Sequence, residues 1–181
     1  MPFSFLQTAL PGVLIIEPRV FSDDRGFFME CYKKSEFAAA GLDADFVQEN
    51  HSRSVQGTLR GLHLQRAPKA QGKLIRVVEG EIFDVVADIR PDSPDYGSWI
   101  SVALSSDNRR SVFIPAGYAH GFCVVSAEAQ VIYQTTDEYA PALEWGARWD
   151  DPLLAIPWPV SEPLLSERDR RWPLLERTGG S

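Results

Sequence analysis

Apolar residues along the chain fall into short runs rich in Val, Ile, Phe and Tyr, cut at close intervals by Gly, Pro, Asp and Asn. Runs of this length and composition, bounded by turn residues, predict β-strands rather than helices. Strands are expected at residues 13–17, 26–31, 73–78, 81–89, 99–104, 111–114, 121–125 and 129–135. Between them lie Glu79-Gly80, Arg90-Pro91-Asp92-Ser93-Pro94, Ser106-Asp107-Asn108 and Pro115-Ala116-Gly117, all with turn chemistry. The segment Glu81-Ile82-Phe83-Asp84-Val85-Val86-Ala87-Asp88-Ile89 mixes alternation with consecutive apolar residues, as a strand between two packed layers does.

Helical signals are sparse. Ser35 as N-cap, Glu36 in the first turn, the Phe37-Ala38-Ala39-Ala40 run and Gly41 as terminator predict one short helix. Ser166-Glu167-Arg168-Asp169, following Leu164-Leu165, has the form of a capping box and predicts a second. Evenly spaced short strands with one or two peripheral helices make the chain all-β, a sandwich, jelly roll or small barrel. Without an internal repeat or low-complexity linker, residues 1–181 are expected to form one domain with an N-terminal strand and a short helical tail.

Composition narrows the classes of function. A chain of 181 residues, 44% hydrophobic and 24% charged, is long enough to bury a core without disulfides or a structural metal. Cys31 and Cys123 stand far apart in apolar surroundings, the pattern of free thiols in a cytoplasmic protein. No run approaches the ~18 apolar residues of a membrane span, and the N-terminus lacks the basic start of an export signal. A net charge of -7 argues against nucleic-acid binding. The average conceals a reversal: residues 50–78 contain no Asp or Glu but hold Arg53, Arg60, Arg66, Lys69, Lys73 and Arg76. That stretch is either a solvated basic face or an anion site.

Two of the three histidines sit in segments that could carry chemistry. In Arg60-Gly61-Leu62-His63-Leu64-Gln65, strand alternation sends Leu62 and Leu64 to one face and Gly61, His63 and Gln65 to the other. Lys73 opens the next strand. His120 lies in Ile114-Pro115-Ala116-Gly117-Tyr118-Ala119-His120-Gly121-Phe122, which resembles the second motif of the cupin superfamily. That resemblance implies a double-stranded β-helix jelly roll. Metal-binding cupins carry H-x-H in their first motif; here Gln65 stands where the second histidine would be, which implies a cupin with no metal.

The resemblance is closer to the nucleotide-sugar 3,5-epimerases, typified by dTDP-4-dehydrorhamnose 3,5-epimerase. It is carried by Asp24-Arg25-Gly26-Phe27-Phe28-Met29-Glu30, Phe46-Val47-Gln48-Glu49-Asn50-His51-Ser52, Leu59-Arg60-Gly61-Leu62-His63, Gln71-Gly72-Lys73, the His120 motif, Trp149-Asp150-Asp151-Pro152 and Ile156-Pro157-Trp158-Pro159. It implies an isomerase acting on a dTDP-4-keto-6-deoxyhexose, with both centres flanking the ketone inverted through an enolate and with no cofactor. By resemblance His63 is the base, oriented by Asp169; Tyr133 is the opposing acid; Lys73 stabilises the enolate oxygen. Read by itself, Asp169 is the acid of a capping box and Tyr133 a packed strand aromatic.

The family pattern further assigns Arg25, Glu30, Gln48, Glu49, Asn50, Arg60, Lys73, His120, Glu144 and Arg168 to substrate binding, and it implies a cytoplasmic homodimer that binds neither nucleic acid nor membrane. Two departures stand out: Arg168 replaces the usual lysine before Asp169, and Gln134 follows Tyr133 where lysine is common. The same base and acid would also serve an enzyme that inverts C3 alone or C5 alone, or one that shifts the ketone. A sugar-binding cupin without activity is the alternative from another class.

Overall fold

A computed structural model describes residues 2–176; residue 1 and residues 177–181, the two ends of the expected domain, lie outside the described residues. The strands are β1 (Phe3–Gln7), β2 (Leu14–Pro18), β3 (Val20–Asp23), β4 (Gly26–Met29), β5 (Gln48–Val55), β6 (Leu59–Gln65), β7 (Lys73–Glu79), β8 (Glu81–Ala87), β9 (Trp99–Ser105), β10 (Ser111–Ile114), β11 (Ala119–Val124), β12 (Glu128–Thr135) and β13 (Glu144–Gly146). They build a six-stranded sheet in the order β1-β2-β10-β7-β12-β5 and a five-stranded sheet in the order β13-β6-β11-β8-β9, with β3 and β4 as a separate hairpin. All the strand pairings within these sheets are antiparallel. The two large sheets face each other in the all-β, cupin-like jelly roll.

The inward face changes character along single strands. On β12, Ala129 and Val131 lie in the core and Tyr133 follows two residues on; on β7, Val77 and Ile75 precede Lys73 toward the same end; on β11, Val124 and Phe122 give way to His120. Because side chains alternate, residues two apart share a face. One end of the interior is therefore apolar and the other polar. The apolar end joins Ile75, Val77, Val112, Ile114, Ala129 and Val131 of one sheet to Ile82, Val86, Val102, Leu104, Phe122 and Val124 of the other.

Both outer faces are partly covered. Helix α1 (Lys34–Ala39) buries Phe37 against Phe3, Leu14, Ile16, Leu74 and Phe113 of the six-stranded sheet. The C-terminal segment lays Leu154, Ile156, Trp158 and Leu175 on the five-stranded sheet. Buried Asp151 pins that segment by accepting the backbone N–H groups of Leu153, Leu154 and Leu175 at 2.8, 3.3 and 2.6 Å. No described helix is long and apolar enough to cross a membrane.

Three local expectations are corrected. Helix α1 starts one residue before Ser35, with Lys33 at the N-cap and no side-chain cap bond, because packing of Phe37 sets its position rather than a capping hydroxyl. The second helix is a single 3-10 turn, Asp169–Arg171, although Ser166 Oγ does accept the Asp169 N–H at 3.1 Å. Strand β5 was not among the expected runs. Its sequence, Gln-Glu-Asn-His-Ser-Arg-Ser-Val, is polar on both faces because its inward side lines a cavity and its outward side lies at the surface.

Candidate active site

At the polar end of the interior the two sheets enclose a cavity of two joined lobes. His63, Lys73, Tyr133 and Arg168 border both. The outer lobe, about 240 Å³, adds Gln48, Asn50, Gln65, Gln71, Tyr139 and Glu144; the inner lobe, about 150 Å³, adds Ser52, Arg60, His120, Phe122, Ser166 and Asp169.

The histidines come from adjacent strands of one sheet, His63 of β6 lying opposite His120 of β11. Arg60 is three residues before His63, which in a regular strand would put them on opposite faces. A bulge corrects this: Phe122 pairs with Arg60, so two residues of β11 span three of β6. Gly61 sits in the bulge at φ +113°, and a Cβ there would lie 2.5 Å from both Gly121 Cα and the His120 carbonyl oxygen. Only glycine permits this conformation and this approach. Arg60 then crosses the interior and donates Nε–H to Ser54 Oγ of β5 at 3.1 Å.

Lys73 and Tyr133 come from the opposite sheet. Lys73 is 9% exposed and has no described carboxylate at ion-pair distance; burial drives its ammonium down to about 8, against a smaller upward pull from Glu144 and Asp84. Burial also raises the Tyr133 phenol above its ordinary value, with Arg60 opposing, so the hydroxyl keeps its proton at neutral pH. For His63, burial first and then the Lys73 charge hold the imidazole well below its ordinary value, so it is neutral there. A neutral imidazole and a protonated phenol, one on each wall, can respectively take and give a proton.

The two histidines differ in their partners. His120 Nε2 lies 2.6 Å from Asp84 Oδ2, both side chains buried. Asp84 was absent from the sequence-based site, although an acid inside the apolar run Ile82-Phe83-Asp84-Val85-Val86 is a signal that could have found it. Asp169, the expected partner of His63, borders the same lobe but makes no described hydrogen bond to it. Its Oδ2 accepts the Ser166 hydroxyl at 2.8 Å, and its buried Oδ1 has no partner among the described residues.

Glu144 and Arg168 meet at the mouth: Arg168 Nη1 donates to Glu144 Oε2 at 2.5 Å and to the Tyr139 hydroxyl at 3.2 Å. Three expected residues lie elsewhere. Glu49 is turned outward by strand alternation and accepts from Gln134 Nε2 at 3.0 Å, which also puts the Gln134 departure outside the cavity. Arg25, its side chain 90% exposed, pairs with Asp23 at the tip of the β3–β4 hairpin, and Glu30 follows that hairpin. The hairpin exposes Phe21, Phe27 and Phe28.

Residues 7–177 match the family described as dTDP-4-dehydrorhamnose 3,5-epimerase. The chain is 52% identical over 165 residues to the dTDP-4-dehydrorhamnose 3,5-epimerase of Shigella flexneri, covering 91% of each. Its fold is similar, at TM-score 0.93 and 45% identity, to the crystal structure of the Bacillus anthracis dTDP-4-dehydrorhamnose 3,5-epimerase with TDP and PPi bound, over 96% of this chain and 99% of that one. It is likewise similar, at TM-score 0.92 and 44% identity, to the Legionella pneumophila dTDP-6-deoxy-D-glucose-3,5-epimerase in complex with dTDP-4-keto-L-rhamnose, over 96% of this chain and 93% of that one.

Proposed function

The chain belongs to the dTDP-4-dehydrorhamnose 3,5-epimerase family, and from that premise we infer that it inverts C3 and C5 of a dTDP-linked 4-keto-6-deoxyhexose through His63 and Tyr133. The observation that carries the residue assignment is the pairing of a neutral imidazole with a protonated phenol on opposite walls of one cavity.

The ketone acidifies the C–H bonds on either side of it. His63 takes the proton, the C–H electron pair becomes the enolate C=C bond, and the carbonyl π pair moves onto oxygen. The Lys73 ammonium, which lines the same cavity, stabilises that oxyanion, a charge the ketone lacks, and so favours the transition state over the ground state. Tyr133 returns a proton to the opposite face of the carbon. His63 then loses its proton, and the phenolate gains one, by exchange with solvent. Asp169 serves as the partner of the imidazolium: the residue borders the His63 lobe, and its carboxylate favours the charged form once His63 is protonated. Arg60, His120, Gln48, Asn50, Glu144 and Arg168 bind the nucleotide sugar, with the Arg60 guanidinium suited to diphosphate oxygens.

Arg25, Glu30 and the exposed aromatic hairpin fit a homodimer in which each chain presents its hairpin to the partner's cavity. This assembly reconciles a substrate-binding role for Arg25 with its distance from the cavity of its own chain. Mixing inactive Arg25→Ala and His63→Ala chains would then restore activity in hybrids, and monomeric sedimentation would rule the assembly out. The reaction itself is tested by incubating the 4-keto sugar in D2O, with deuterium expected at C3 and C5. Label at one centre only would identify a single-centre epimerase; binding without label at either would leave a sugar-binding protein.

A further inference from the structure

The segment of residues 137–140 carries Tyr139 to the cavity mouth, where the residue is 48% exposed. Four of the segment's backbone groups are held by glutamine side chains. Gln71 Nε2 donates to the Asp137 carbonyl at 2.6 Å. Gln65 Nε2 donates to the Glu138 carbonyl at 3.0 Å and to the Lys69 carbonyl at 2.5 Å. The Tyr139 N–H reaches Gln48 Oε1 at 2.9 Å, and the Ala140 N–H reaches Gln65 Oε1 at 2.7 Å.

Gln65 is the centre of this arrangement. It is 4% exposed, and its carboxamide commits both N–H donors and one acceptor bond of its oxygen to the backbone of Lys69, Glu138 and Ala140, so it has no N–H left to offer a ligand. Glutamate could keep only the acceptor and would set a carboxylate against two carbonyl oxygens. Asparagine is one methylene too short.

We propose that Gln65, helped by Gln71 and Gln48, is a positioning residue that clamps residues 137–140 so that Tyr139 forms a fixed wall of the substrate cavity. The proposal rests on the reading of that cavity as the nucleotide-sugar site. Its effect belongs to binding: a loosened wall costs ordering when the substrate arrives, whereas the strands that carry His63, Lys73 and Tyr133 are held by backbone pairing, to which the Gln65 side chain adds no bond.

The test is a double-variant cycle on the full-length enzyme, with dTDP affinity measured by titration calorimetry alongside steady-state kinetics. Gln65→Met keeps the buried volume and removes all three hydrogen bonds. We expect roughly tenfold weaker dTDP binding and a KM raised to match, the scale of one or two lost hydrogen bonds, with kcat nearly unchanged. In a Tyr139→Ala background the same substitution should change affinity less than about twofold, since the wall it positions is gone. Should Gln65→Met fail to fold, Gln71→Ala, which loses only the bond to the Asp137 carbonyl, should show the same pattern at smaller size. An equal loss of affinity with and without Tyr139, or a fall in kcat with KM unmoved, would overturn the clamp. Failure of the wild-type enzyme to bind dTDP would overturn the substrate reading beneath it.

Discussion

Follow β7, β11 or β12 from one end of the jelly roll to the other and the inward face passes from apolar to ionisable within two residues: Ile75 to Lys73, Phe122 to His120, Val131 to Tyr133. On β7 and β12 the strand pairing is regular across that step and only the side chain changes; on β11 the step coincides with the bulge against β6. At the apolar end the sheets bury one another's side chains, which stabilises the fold in proportion to the area removed from water. At the polar end the same spacing leaves a cavity, and the apolar end supplies the rigid backing that keeps its walls in register. Burial there works against charge, lowering Lys73 and His63 and raising Tyr133. One interior thus separates stability from chemistry along the length of its strands, and substitutions at the two ends should fail in different ways.

The largest effect is expected at the polar end. His63→Ala should lower kcat by about 10³-fold or more, the scale of a lost general base, while dTDP affinity and melting temperature stay near wild type. A comparable fall in melting temperature would mean that the polar end also carries the fold. Ile75→Ala, two residues from Lys73 on the same face, should do the reverse: urea denaturation should show a loss of about 2–5 kcal/mol, with the folded fraction retaining its kcat.

Asp84→Asn probes the histidine–carboxylate pair that is closed in this structure. Asparagine keeps the size but not the charge, and kcat/KM should fall about tenfold, the scale of a lost charge-assisted hydrogen bond, by way of His120. An unchanged kcat/KM would reduce Asp84 to a buried structural acid.

The pH profile sharpens the contrast further. The base must be neutral, and His63 lies well below the ordinary imidazole value of 6.5, so the acid limb of kcat/KM should fall below that pH. The ammonium must be charged, and Lys73 is lowered to about 8, so activity should decline as pH rises through about 8. In Lys73→Arg, any remaining activity should lose that alkaline limb, because guanidinium stays protonated. An alkaline limb that persists would belong to another group. Smallest of all, Arg53→Ala breaks an exposed ion pair with Glu128 on the outer face and should alter stability by less than about 1 kcal/mol in thermal melts and leave kinetics unchanged.

The apolar end was the more legible in the sequence. Runs such as 73–78, 81–89 and 129–135 are β-branched and bounded by turn residues, and they correspond to β7, β8 and β12 within a few residues. Strand β5 was missed because the hydrophobic signal vanishes where both faces are polar. At the site, period two explains why Lys73 and Tyr133 point inward, but it would separate Arg60 from His63; the bulge at Gly61 joins them. Asp84 lay hidden inside a strand read only for its packing. The hydrogen bond from His63 to the Asp169 carboxylate, implied by family resemblance, is not made here, since that carboxylate arrives on the C-terminal segment and accepts the Ser166 hydroxyl instead. Matched positions alone did not show where Arg25 and Glu49 lie: alternation turns Glu49 to the outer face, and a hairpin carries Arg25 away from the cavity of its own chain.

The division of labour between His63 and Tyr133 is tested most directly by proton wash-out. Substrate deuterated at C3 and C5 is incubated in ordinary water with Tyr133→Phe or with His63→Ala, and label loss and product are followed by mass spectrometry and NMR. With Tyr133→Phe, deuterium should pass to solvent without inverted product, since the base still acts and the opposing acid is gone. With His63→Ala the label should stay in place. Label lost from His63→Ala, or retained by Tyr133→Phe, would contradict the assignment of base and acid to these two walls.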